Sequence, residues 1–261
     1  MDVDKLINGD GLEVMSDMPD ESIDLVFADP PFNVGKPYQD NRLDYKQWCN
    51  EWISECFRLL KPTGTFYLMI IPRHMGHIMM SMDRYGIFVD QIIWRTTSLN
   101  ATKKQYVRLY QLIFQYAKTE QYIFHPKAQS IERNYIVRAA QLKKKPELAI
   151  AYPGRVGNLW DDIKFIAGGC MAPKEAILCN DSKRKAHPCQ MPIALAERAI
   201  VFSSNEGDIV LDPFMGIGTI PVACIRTGRH YIGIDIEARY CELAERRITE
   251  ELTQPELMIT G

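Results

Sequence analysis

The chain has 261 residues, 46% hydrophobic and 25% charged, with a formal net charge of −2. That balance fits an ordinary globular protein, one large domain or one domain with an insertion, able to fill a core without disulfide or metal staples. It excludes a membrane-spanning class, since no apolar run approaches the ~18 residues a span needs, and whole-chain charge names no partner.

In chain order, "LINGDG" reads as a short strand entering a turn, and "SIDLVFADPP" as a strand whose nearly continuous apolar run suits burial on both faces. "DYKQWCNEWISECFRLLKPTG" carries Trp48, Trp52, Cys56 and Leu59 at helical spacing, with Lys61, Pro62 and Gly64 stopping the helix. "TFYLMII" is a strand, "PRHMGHIMMSMDRYG" a helix, and "IFVDQIIWR" and "LYQLIFQYAKT" are further strands. After a long interruption the alternation returns. "HPCQMPIALAERAIVFSS" gives a turn and a helix, and "DIVLDPFMGIGT" a strand into a glycine turn. "IPVACIRTG" is a helix stopped near Gly228, "HYIGIDI" a strand, and "EARYCELAERRITEEL" an amphipathic helix. Strands alternating with helices predict a doubly wound, mostly parallel α/β sheet with helices on both faces.

The interruption spans about residues 119–185, far beyond ordinary α/β connections. Between residues 103 and 145 stand ten basic side chains and only two acids, Glu120 and Glu132, interleaved with aromatic residues such as Tyr106, Tyr110, Tyr122 and Tyr135. A near-neutral chain that concentrates positive charge in one segment points to a phosphate-contacting surface. The acidic start "MDVDKLINGDG" has no apolar core of a secretory signal, and the seven cysteines are odd in number without a C-x-x-C pair. Reduced thiols in the cytoplasm are expected. Cys170, Cys179, His187 and Cys189 lack the close ligand pairs of common structural zinc sites, so no metal is expected.

"DIVLDPFMGIGT" and "DLVFADPPF" both deliver Asp-Pro at the carboxyl end of an apolar strand. Ligands of open α/β sheets bind outside those ends, so the two acids suggest one shared crevice. Gly216 and Gly218 permit a sharp turn and close ligand approach, and the next helix offers free N–H groups. Pro221 stands where a dinucleotide fingerprint has its third glycine, which argues against a nicotinamide-dependent oxidoreductase. Asp235 ends the following strand, where an acid can accept two ribose hydroxyls, so an adenosine-type ligand is expected.

At the first crevice strand, Pro30 and Pro31 stiffen the turn and leave carbonyls free to accept, Asp29 adds a charged acceptor, and Phe32 a flat apolar face. A carboxylate and a carbonyl together can receive both hydrogens of a conjugated amine while a ring stacks on its planar system. That pulls the nitrogen toward tetrahedral geometry and localises its lone pair for attack on an electrophilic methyl group. Asp29 need not first remove a proton.

"ADPPFNVGK" with "LDPFMGIGT" resembles the amino-group DNA methyltransferases that use S-adenosylmethionine. The catalytic motif precedes the cofactor motif with a recognition segment between them, which resembles the β class. The resemblance covers residues 5–118 and about 183–250 and implies a Rossmann-like methyltransferase fold in permuted order. Residues 1–118 would be the catalytic half, 119–185 a small inserted target-recognition segment, and 186–261 the cofactor-binding half. It implies that Asp29, Pro30, Pro31 and Phe32 hold and activate the base. Asp212, Pro213, Phe214, Gly216, Gly218 and Thr219 would line the methionine end of the cofactor, with Asp29 beside it. Asp235 would bind the ribose, Ile236 pack near the adenine, and Asp10 lie near the adenine amine. His187 and Gln190 of "HPCQMP" would border the site, with Met191 replacing a usual lysine, and "NLWDDI" resembles a stretch found before that motif.

An acid at the first catalytic position accompanies adenine more often than cytosine in this family, which favours N6-methyladenine. Cytosine N4 is the neighbouring alternative, and RNA or a protein glutamine the more distant ones. An inactive DNA-binding protein would not need the intact turn and glycine motif. The implied partner is double-stranded DNA, contacted by Lys36, Lys143, Lys144 and Lys145. The resemblance further implies a homodimer and a cognate restriction endonuclease, and no membrane.

Overall fold

The computed structural model of the protein describes residues 1–35, 42–96, 106–126, 128, 156–164 and 190–253. In chain order the elements are β1 (Lys5–Asn8), α1 (Gly11–Ser16), β2 (Ile23–Ala28), α2 (Tyr45–Leu59), β3 (Leu60–Ile70), α3 (Met75–Met82), β4 (Ile87–Arg95) and β5 (Tyr110–Ala117). They continue with β6 (Leu159–Trp160), α4 (Ile193–Ser203), β7 (Ile209–Asp212), α5 (Thr219–Thr227), β8 (His230–Asp235) and α6 (Ala238–Thr253). The eight strands form one sheet in the order β1-β8-β7-β2-β3-β5-β4-β6. Only β5 runs against its neighbours β3 and β4; every other described pair is parallel.

The central strand β2 is buried at every position. Its side chains divide between two cores as the period of two demands. Val26 and Ala28 face α1, α2 and α3, whereas Leu25 and Phe27 face α4 and α5. From β2 the chain crosses through α2 to β3 on one side; from the adjacent β7 it crosses through α5 to β8 on the other. The connections diverge at the β2–β7 pair, so the carboxyl ends of those strands flank a topological switch point.

Two details depart from the sequence expectation. Lys61, Pro62 and Gly64 do stand just after α2, but inside β3. Pairing passes from Ile23 with Leu60 to Leu25 with Thr65, so the breaker residues are accommodated as a bulge. The segment "NLWDDI" joins the α/β body: β6 pairs with β4 through Leu159 and Trp160, and Trp160 and Ile163 are core residues. The Trp94 indole N–H donates to the Ile163 carbonyl at 2.9 Å, and Arg198 grips Asp162 with bonds of 3.0 and 2.5 Å. No described helix is long and apolar enough to cross a membrane.

Candidate active site

The register of β2 with β7 pairs Leu25 with Val210 and Val26 with Leu211. Extended by one residue, that register sets Asp212 opposite Phe27, so Asp29 and Asp212 emerge at the same edge of the sheet, two residues out of step. One strand further out, Asp212 pairs with Gly233, two residues before Asp235. All three acids line one cavity of about 160 Å³.

The environment of each carboxylate differs. Asp29 accepts no hydrogen bond among the described residues, and its Oδ1 is sealed from solvent although the residue as a whole is half-buried. Burial pushes its carboxyl up to about 7. Asp212 accepts the Phe214 N–H at 3.1 Å, yet burial, with Asp29 and Asp235 nearby, holds it well above the usual carboxylate range. Asp235 accepts the Gly216 N–H on one oxygen and the Glu237 N–H on the other, each at 2.8 Å. Burial outweighs those two bonds and pushes it up to about 6. An orphaned buried acceptor is costly, and a site that gathers three acids is arranged for hydrogen-bond donors and positive charge.

The turn after Asp29 is held from outside. The carbonyls of Pro30 and Pro31 accept no hydrogen bond among the described residues, whereas that of Phe32 is 2.9 Å from His74 Nε2. A carbonyl only accepts, so Nε2 carries the proton. Asn33, at a φ of 51°, accepts the Arg42 N–H at 2.7 Å and donates to the Arg42 carbonyl at 3.0 Å. That two-way bond closes the base of the loop that follows the turn.

Asp10 caps α1 by accepting the Leu12 N–H at 2.8 Å, and it lines the cavity together with Phe32, Gln190, Pro213, Thr219 and Ile236. Gly216 lines it too, at a φ of 52°. Gly218 does not: with a φ of 77°, it lets α5 approach α6, where an added Cβ would lie 2.7 Å from that of Ala244. Close packing of the two helices therefore needs a glycine there, whatever part Gly218 takes at the methionine end. His187, Lys36, Lys143, Lys144 and Lys145 lie outside the described residues, as do Cys170, Cys179 and Cys189.

The sequence reading missed Arg42, Trp48, Trp52 and Tyr240, which also line the cavity. Trp48 and Trp52 meet Phe214 edge-on, with ring centroids 5.5 and 5.1 Å apart. Their i,i+4 spacing marked a buried helix face but could not tell core from cavity wall. The Arg42 guanidinium lies 4.8 Å from the Trp48 ring centroid, a contact no local pattern announces.

A doubly wound sheet with three carboxylates gathered in one cavity at neighbouring strand tips defines an α/β protein with a ligand site at its topological switch point. What that site serves follows from the relatives of the chain. The chain belongs to the N6/N4 family of DNA methylases, whose family model, described as DNA methylase, matches residues 23–246. It is 33% identical to the DNA adenine methyltransferase YhdJ of Escherichia coli over 272 residues, covering 98% of this chain and 88% of that protein. It is 33% identical to the type II methyltransferase M.HpaI of Haemophilus parainfluenzae over 255 residues, covering 95% and 74%. Among solved structures, a DNA modification methylase of Thermus thermophilus complexed with S-adenosyl-L-methionine superposes with a TM-score of 0.64 at 24% identity, covering 96% of this chain and 95% of that one. The PvuII cytosine-N4-specific DNA methyltransferase gives 0.68 at 19% identity, covering 96% and 92%. At these identities the superpositions show the shared fold.

Proposed function

We infer that this chain transfers a methyl group from S-adenosylmethionine to the exocyclic N6 of an adenine flipped out of double-stranded DNA. The observation that carries the reading is the buried, donorless Asp29 carboxylate beside the free carbonyls of Pro30 and Pro31. Three acceptors at a rigid turn suit an –NH2 group, which brings two donors and no charge.

The cavity fits the cofactor by the chemistry of its donor set. Bound S-adenosylmethionine supplies an electrophilic methyl group on a positively charged sulfonium. Asp29, Asp212 and Asp235 line the cavity as carboxyls that a bound cation would draw toward their charged forms, and each Asp235 oxygen keeps a lone pair for a ribose hydroxyl. Asp29 accepts one N6–H and the Pro30 carbonyl the other, which localises the nitrogen lone pair. Phe32 stacks on the base, and the aromatic wall of Trp48, Trp52 and Phe214 excludes water. The proton shed by the methylated amine passes to Asp29 Oδ1 or to solvent, and the raised affinity of Asp29 for protons favours the first.

Base flipping costs a few kcal/mol, which phosphate contacts must offset. Lys36, Lys143, Lys144 and Lys145 are assigned to such contacts, and the recognition segment to base reading. A homodimer and a cognate restriction endonuclease belong to the same reading, as does a place in the reducing cytoplasm. Adenine is favoured over cytosine by Asp29 at the first motif position and by the likeness to YhdJ.

Incubation with methyl-labelled S-adenosylmethionine and plasmid DNA, digestion to nucleosides and mass spectrometry test the reading. Labelled N6-methyladenine is expected. N4-methylcytosine would replace the substrate, and no label in DNA would overturn the assignment.

A further inference from the structure

Most described arginines are employed within the fold. Arg58 bonds Glu55 and Asp20, Arg198 bonds Asp162, Arg226 bonds Glu251, and Arg247 bonds the Ile217 carbonyl. Among the described residues, the side chains of Arg73, Arg84, Arg95, Arg108 and Arg246 make neither ion pair nor hydrogen bond, and all five are exposed. An unpaired arginine keeps its full charge and its planar fork for a partner outside the molecule.

Three of the five share one place. β3 and β4 run in the direction of β2, so Arg73, just beyond β3, and Arg95, the last residue of β4, stand at the sheet edge that carries Asp29. β5 runs the other way, so Arg108, two residues before it, stands at that edge too. Arg95 pairs with Tyr110, and the Thr96 N–H reaches the Leu109 carbonyl at 2.8 Å, which sets Arg108 just beyond the end of the strand that pairs with Arg95. Ile70 of β3 pairs with Leu112 on the other side of β5. With strands ~4.8 Å apart and ~3.4 Å of rise per residue, the three backbones fall within roughly 15 Å of one another. The β4–β6 register sets Asp161 next to Arg95, yet Arg95 pairs with no acid among the described residues; Asp162 is engaged by Arg198. Arg84, by contrast, follows α3 at the opposite edge, and Arg246 sits on α6.

We propose that Arg73, Arg95 and Arg108 form a phosphate-binding ridge, on the sheet edge that carries Asp29, that anchors the DNA duplex beside the flipped nucleotide. The proposal rests on the reading of DNA as substrate and names the surface that holds it. Duplex DNA presents one charge per ~3.4 Å of axis on each strand, so a ridge of roughly 15 Å spans about four phosphates. Tyr106 and Tyr110, both exposed beside Arg108, add flat faces for sugar or base contacts.

The test compares Arg73→Gln, Arg95→Gln, Arg108→Gln and their triple combination with an Arg84→Gln, Arg246→Gln double variant. Binding of a fluorescein-labelled duplex of random sequence is measured across a salt series, with cofactor binding by calorimetry alongside. Each ridge substitution is expected to flatten the slope of log K against log salt by about 0.9, and the triple variant by about 2.7, while cofactor affinity and melting temperature stay unchanged. The control pair should keep the wild-type slope. An unchanged slope in the triple variant, or equal losses in ridge and control variants, overturns the ridge. A wild-type protein that neither binds the duplex nor methylates plasmid DNA would instead overturn the substrate reading beneath it.

Discussion

Asp29 is the residue to which the proposed chemistry assigns the target amine, and folding leaves its carboxylate without a donor. Its value of about 7 lies above the 3.8 of an ordinary aspartate, so folding favours the protonated form. The stability this lends the ligand-free protein is full below about pH 4 and is lost as pH rises through about 7. Asp29→Asn should therefore raise the melting temperature of the ligand-free protein at pH 8 and leave it nearly unchanged at pH 4. The same substitution should lower kcat by ~10²- to 10⁴-fold, because the amide offers a weaker acceptor and no place for the proton. For the wild type, kcat/KM should rise with pH through an inflection near 7, whereas kcat should inflect at lower pH, since a bound cation favours the charged carboxylate. Coincident inflections in the two profiles would remove Asp29 from the acid–base path. His74 acts on this group at one remove through the Phe32 carbonyl, with its ring centroid 4.7 Å from that of Tyr45. His74→Ala should lower kcat about 10- to 100-fold at unchanged cofactor affinity, and His74→Gln, which can still donate, should recover part of the loss. Equal damage from both substitutions would mean that packing, not the hydrogen bond, is what His74 provides.

At the scale of elements, the site is a consequence of how β2 is pinned to its neighbours. Asp24, buried near the amino end of β2, takes both hydrogen bonds of the Lys61 ammonium at 2.8 Å and the Ile209 N–H at 2.9 Å. One carboxylate thereby fixes the bulge of β3 and the start of β7 against β2. Asp24→Ala would strand the Ile209 N–H and free the bulge, and should cost ~3 kcal/mol or more, measured by urea denaturation. A loss below 1 kcal/mol would mean that the ladder hydrogen bonds hold the register unaided. Such long-range ties explain which parts of the fold were legible. β2 and β7 announced themselves because burial on both faces demands unbroken apolar runs, and their Asp-Pro ends pointed to a crevice. α1 escaped because six residues capped by Asp10 carry too little periodicity. β3 was read as starting late because Pro62 and Gly64 ordinarily break structure, and only the partner strand reveals the bulge. Arg42 and Tyr240 reached the cavity through tertiary placement that no spacing encodes, whereas Asp29, Asp212 and Asp235 were legible because strand ends are.

For the molecule as a whole, the decisive fact is electrostatic. A chain of net charge −2 places Asp29, Asp212 and Asp235 in one cavity, all with raised proton affinity, and Asp10 and Glu237 also line it. Arg42 is the one basic side chain of that lining among the described residues, and it is shared with Trp48 and Asp44. Burial pushes the Cys49 thiol up to about 12, so it stays neutral. As pH rises past about 6 for Asp235 and about 7 for Asp29, the empty cavity gains negative charge in a poorly hydrated place. A ligand with a sulfonium relieves that repulsion, and its demethylated thioether product, otherwise nearly the same in shape, does not. The two ligands are thus separated by a charge whose worth depends on how many of the acids are ionised. Thermal melts with S-adenosylmethionine and with S-adenosylhomocysteine at equal concentration should differ little near pH 5. From pH 6 to 8 the gap should widen in favour of the sulfonium, and Asp235→Ala should weaken binding of both while narrowing the gap. A gap that stays constant with pH would show that the sulfonium lies beyond the reach of these carboxylates, and would break the link between the strand-tip acids and the methyl group they are inferred to serve.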